Sequence, residues 1–183
     1  IGNLLCETEK ASSCGSLPIE LQTTKNIFAL MFLLRGIPFV DLAYLRKADI
    51  QGNTLKYRRR KTGRLLTVML TPDAIKLIRI VAKTKPESPY LFPFLSSPEG
   101  TEAAYHEYQS SLRMFNYRLS RLKKYMKTAA HLSSYTIRHT WATMAYYCEI
   151  HPGIISEAMG HSSIKVTETY LKPFQNEKID NAN

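Results

Sequence analysis

The chain has 183 residues, 44% hydrophobic and 22% charged; that is long enough for one domain with a real core, and it excludes a disordered or fibrous chain. A net charge of +10 favours a polyanionic partner, nucleic acid or an anionic membrane, while charge alone leaves a merely solvated basic surface open. The three cysteines (Cys6, Cys14, Cys148) are odd in number and form no CxxC, which excludes a zinc pattern, argues against a disulfide framework and fits a reducing cytoplasm.

Residues 1–16 are small and polar and read as a linker, and a chain starting at Ile1 reads as a piece of a longer protein. From Pro18 to Arg35, Ile27, Leu30, Met31 and Leu34 recur at helical spacing. Ile27 to Leu34 is the longest apolar run, far too short to span a bilayer, and no signal peptide is visible. Gly36 and Pro38 end the helix, and a short second one follows with Val40, Ala43 and Tyr44 on one face. Leu55–Arg59 and Leu66–Leu70 alternate around Lys61-Thr62-Gly63, which predicts a hairpin near 54–70.

Thr71 is a plausible N-cap for a helix to about Lys83. Four prolines (86, 89, 93, 98) then mark an irregular stretch, with Tyr90-Leu91-Phe92 as a candidate strand. A helix over about 102–127 carries the stripe Leu112, Phe115, Leu119, Leu122, Met126 and a basic face. Further helices are expected over 136–149, from Pro152 to a stop at Gly160, and from a cap at Ser163 toward Tyr170. The fold class is mainly α with a small antiparallel β-sheet.

Two segments carry candidate chemistry. One is Tyr135-Thr136-Ile137-Arg138-His139; the other runs Met159-Gly160-His161 and, after a spacer, Thr167-Glu168-Thr169-Tyr170. An Arg-His pair, a Gly-His and a late tyrosine in a basic chain suggest attack on a DNA phosphate by a phenol. A phenol with pKa of about 10 is a poor nucleophile until it stands in line with phosphorus and its charge is screened. A planar guanidinium such as Arg138 can bind two phosphorane oxygens at once. Gly160 permits the turn that presents His161. His139, next to Arg138, faces about 100° away on a helix and reads as a hydrogen-bonded structural residue.

Across 17–174 these ordered motifs resemble the catalytic domain of tyrosine recombinases, the phage-integrase family. Arg35 to Ala43 is most similar to integrases and invertases of Bacteroides-type bacteria. The resemblance implies that Tyr170 forms a 3′-phosphotyrosine and frees a 5′-hydroxyl, conserving the bond energy so that neither ATP nor metal is required. It implies that Arg138 and His161 stabilise the phosphorane, with Tyr135 in the family's histidine position donating one hydrogen bond. Lys61 matches the lysine that protonates the leaving oxygen. Arg58, Arg59, Arg60 and Arg64 would lower its pKa and clamp phosphates; Arg60 as the acid, or a purely binding hairpin, stays open. Asp41 matches the family's acidic residue and would hold an active-site guanidinium.

One departure is plain. The family's first catalytic arginine should stand two residues after Gly36, where this chain has Pro38. Arg35 is the nearest replacement, reaching the same face if the turn is helical; Arg46 is a weaker one.

The function expected is site-specific recombination of double-stranded DNA in the bacterial cytoplasm by a tetramer, through a Holliday intermediate. The isolated domain would be a weakly binding monomer, with an N-terminal clamping domain elsewhere, a catalytic domain at 17–174 and a tail at 175–183. Loss of the first arginine keeps open an impaired DNA-binding protein, and the shared chemistry keeps open a type IB topoisomerase.

Overall fold

The computed structural model describes residues 17–171; the expected linker, with Cys6 and Cys14, and the tail at 175–183 lie outside the described residues. Helix α1 (Ile19–Leu33) is the axis of the fold, with Leu21, Leu30 and Met31 fully enclosed. Its apolar residues are spread round its circumference, as expected of a helix covered on several sides. The chain leaves it through two consecutive left-handed residues, Arg35 (φ 59°) and Gly36 (φ 64°). Pro38, with φ −64°, then enters α2 (Phe39–Ala43), which buries Phe39, Asp41, Leu42 and Ala43. Val40 and Tyr44 are only half-buried, so the inward face is shifted from the expected one.

A three-stranded antiparallel sheet follows: β1 (Ile50–Gln51), β2 (Thr54–Arg58) and β3 (Leu65–Met69). Leu55 pairs with Val68 and Tyr57 with Leu66, and these four side chains form the inward face. The period of two continues past the strand end, so Arg59 points inward while Arg58 and Arg60 point out.

Helices α3 (Pro72–Val81) and α4 (Glu102–Tyr125) pack against α1. Thr71 Oγ1 and Thr101 Oγ1 each accept a backbone N–H, from Ala74 and Ala104. Between them, Tyr90 makes one bridge with Arg46, not the strand expected at 90–92. The proline-rich loop is secured by Glu107, whose carboxylate accepts bonds from the N–H and hydroxyl groups of Ser96 and Ser97.

Helices α5 (Thr136–Tyr147), α6 (Pro152–Met159) and α7 (Ile164–Glu168) form the C-terminal part. A separate apolar cluster of Ala142, Ile155 and Met159 joins α5 to α6, with Trp141, Tyr170 and Leu171 packed on it. Gly160 ends α6 in the left-handed conformation (φ 66°). Ser163 begins α7 without a side-chain cap bond, and Tyr170 lies just beyond that short helix. No helix among the described residues is long and apolar enough to cross a membrane.

Candidate active site

A cleft of about 320 Å³ opens between α2, the β2–β3 hairpin, α5 and the segment after α6. Tyr170, Tyr135, Arg138, His161, Lys61, Arg59 and Pro38 line it together. Residues far apart in sequence thus converge on one space.

Arg138 projects from α5 and is 3% exposed. Its Nη1 donates to the Gly36 carbonyl at 2.9 Å and its Nη2 to the Met159 carbonyl at 2.6 Å. Those bonds fix the guanidinium plane and leave other donors of the fork for a ligand. Burial, and then the charge of Arg59, bring its pKa down to about 10, so it remains a cation at neutral pH.

The end of α6 is sealed by side chains from elsewhere. Beyond the Arg138 bond to Met159, Thr62 Oγ1 donates to the Gly160 carbonyl at 3.0 Å and Arg64 Nη1 to the His161 carbonyl at 2.6 Å. Carbonyls at a helix end need such partners. Here they dock the basic hairpin onto the site.

His161 is 3% exposed, with Nδ1 2.8 Å from Thr167 Oγ1. Its Nε2 is buried without a partner among the described residues. Burial first, then the charges of Arg138, Arg59 and Lys61, push its pKa down to about 4, so the ring is neutral at pH 7. In the tautomer in which the Thr167 hydroxyl donates to Nδ1, Nε2 carries the proton and is a neutral donor.

Tyr170 stacks on His161 with centroids 5.1 Å apart and contacts His139 at 4.2 Å. Its hydroxyl is 2.7 Å from that of Tyr135. Its carbonyl accepts from Thr143 Oγ1 at 3.0 Å, which ties the backbone of Tyr170 to α5. The His139 ring lies against both tyrosines; the contacts described for it are aromatic, unlike the hydrogen-bonded role expected. Burial lowers its pKa, as does the neighbouring Arg138.

The hairpin residues separate by face. Lys61 is exposed at the cleft. Arg58 bonds back to the Gly63 carbonyl at 3.1 Å. Arg60 pairs with Glu99 and lies 3.8 Å over the Tyr44 ring, so it is engaged away from Tyr170. Arg46 also pairs with Glu99. Asp41 is buried; its Oδ2 accepts from Arg59 Nη1 at 2.9 Å and its Oδ1 from the Arg60 N–H at 2.9 Å.

Arg35 does not join this group. It lines a separate cleft with Arg64, Leu66, Ile154 and Glu157. The expectation assumed a helical turn from Arg35 to Pro38, and the two left-handed residues at 35 and 36 break that geometry. Arg59, read from sequence only as one of several hairpin cations, is the second buried guanidinium of the cleft, and the alternation Leu55, Tyr57, Arg59 was the available signal.

The model of the phage integrase family matches residues 16–177. Among solved structures, XerA recombinase superposes with a TM-score of 0.60 at 16% identity, over 94% of this chain and 65% of that one. The Tn1549 transposon integrase in complex with circular intermediate DNA gives 0.61 at 16% identity, over 96% and 66%. A lambda integrase dimer bound to a COC′ core site gives 0.56 at 15% identity, over 81% and 52%. At these identities the likeness shows the fold. The chain spans between half and two thirds of the length of these three proteins. No curated protein matches the sequence.

Proposed function

The chain belongs to the phage integrase family, and we propose that it is a site-specific recombinase that cuts and rejoins double-stranded DNA through a 3′-phosphotyrosine. One observation carries this reading: Tyr170, Tyr135, Arg138, His161 and Lys61, drawn from three separate stretches of sequence, line one cleft.

Tyr170 Oη attacks the scissile phosphorus. Its proton passes to Tyr135 Oη, which releases its own to water from its exposed side. Arg138 and the Nε2–H of His161 bind the non-bridging oxygens as their charge grows, already held in position before the reaction begins. The bond to the 5′-oxygen breaks, and the Lys61 ammonium protonates the leaving alkoxide. Rejoining reverses these roles with a new 5′-hydroxyl. The charge of +10 supports binding to the DNA backbone. Residues 17–174 would form the catalytic domain, and strand exchange through a Holliday intermediate would use a tetramer.

A nicked suicide substrate, which loses its 5′-hydroxyl fragment on cleavage, tests this. Wild type should accumulate a covalent protein–DNA adduct and Tyr170→Phe none. Retarded DNA without any wild-type adduct would favour a binding protein that has lost its chemistry, for which Pro38 in place of an arginine is the argument. Relaxation of supercoils with no recombinant product would favour a topoisomerase.

A further inference from the structure

We propose that Arg59 is the second phosphate-binding guanidinium of the site, delivered by the hairpin in place of an arginine at Pro38. This rests on the recombinase reading above. Pro38 lines the cleft but offers no donor, and with Lys61 assigned to the leaving oxygen, Arg138 and a neutral His161 bring only one positive charge to the non-bridging oxygens. Arg59 is the other arginine lining the same cleft, and it is 6% exposed.

A buried arginine calls for an explanation, because desolvating a charge is expensive and a buried ion pair is weak evidence of a stabilising role. Asp41 satisfies only part of this one. It takes Nη1 at 2.9 Å, while Nε is buried with no partner among the described residues. His161 Nε2 is left in the same state. Two unpartnered buried nitrogens beside one cleft, one of them a guanidinium N–H, suit a site that binds an anion. Arg59, Arg138 and Lys61 face this space with Asp41 paired to one of them, so an excess of positive charge remains for a phosphate to neutralise. The lowered pKa of Arg138, caused by burial and then by Arg59, reports the same crowding.

Local packing holds Arg59 in place. A Cβ at Gly160 would stand 2.8 Å from Arg59 Cγ. Gly160 therefore serves twice, turning the chain toward His161 and giving Arg59 room. Asp41, which accepts from both Arg59 and the Arg60 N–H, is a positioning residue in this scheme.

The test compares wild type, Arg59→Ala, Arg59→Lys and Tyr170→Phe on two suicide substrates. One has a phosphodiester at the scissile position; the other has a methylphosphonate, which lacks the charge a guanidinium would bind. On the phosphodiester, Arg59→Ala should form adduct at least about 10²-fold more slowly than wild type. Arg59→Lys, which keeps a cation beside Asp41 and so guards against simple misfolding, should fall between them. On the methylphosphonate the deficit of both variants should shrink to a few-fold. Wild-type rates for either variant on the phosphodiester would overturn the proposal, as would an equal loss on both substrates, which would mean a structural role. A wild type that forms no adduct on either substrate overturns the recombinase reading instead, and this proposal with it.

Discussion

The hydroxyls of Tyr135 and Tyr170 share a hydrogen bond of 2.7 Å, so the nucleophile proposed above meets another phenol where the family motif has histidine. That bond raises the pKa of Tyr135. Tyr135→Phe removes one neutral hydrogen bond, worth about 1 kcal/mol. The rate of adduct formation should fall about 5-fold, with the thermal midpoint little changed.

Lys61 has a sharper test. In Lys61→Ala, cleavage of an ordinary phosphodiester should slow by about 10²–10⁴-fold. A substrate with sulfur in the 5′ bridging position loses a thiolate, which needs no proton, so wild type and variant should cleave it at similar rates. Equal losses on both substrates would instead assign Lys61 to binding.

Gly36 supports Arg138 from beneath. A Cβ there would stand 2.9 Å from Arg138 Cα, which is backbone and cannot swing away, and φ is +64°. Gly52 has nearly the same φ but nothing within 4 Å. Gly52→Ala should cost about 1 kcal/mol for the left-handed conformation alone. Gly36→Ala should cost about 2–4 kcal/mol, the excess coming from overpacking. Urea midpoints of the two variants give the comparison, and adduct formation should fail first in Gly36→Ala.

The neutral burial of His161 predicts acid sensitivity. Its pKa is about 4 when folded and about 6.5 when unfolded. Between those values the unfolded chain binds the extra proton, so stability falls as pH drops from 6.5 toward 4 and is fully present above that window. The loss is on the order of 3 kcal/mol. Denaturation at pH 7 and pH 5 should show a smaller difference in His161→Asn than in wild type.

Glu107 predicts a second, lower window. Hydrogen bonds from Ser96, then Ser97, hold its pKa at about 2. The folded value is depressed, so its stabilisation is present above about 4.5 and is lost as pH falls toward 2. Glu107→Ala should lower stability by about 1–3 kcal/mol at pH 7, and by little near pH 2, as read from thermal melts.

Much of the architecture could be read from periodicity and punctuation. The stripe from Leu112 to Leu122, the Thr71 cap and the stop at Gly160 each have a local cause, and each stands within a few residues of its expected place. Non-local features were harder. Strand β1 is two residues long, too short for any pattern, and exists because β2 pairs with it. The Tyr135–Tyr170 bond depends on how the chain beyond α7 meets α5. Arg35 lines another cleft, and a positive φ at a non-glycine residue leaves no mark in composition. Arg59 reads in sequence as one of four hairpin cations, set apart only by a strand parity that continues one residue past the strand.

The two carbonyls that grip Arg138 belong to Gly36 and Met159, one at the exit of α1 and the other at the last turn of α6. Its guanidinium is therefore aimed by the meeting of distant parts of the chain, rather than by its own helix. Loosening of either anchor, well short of global unfolding, would let the cation swing while Tyr170 remained intact. On the recombinase reading proposed above, damage to this protein should therefore silence it before it turns reckless: a partly opened molecule would keep Tyr170 but lose the fixed guanidinium beside it.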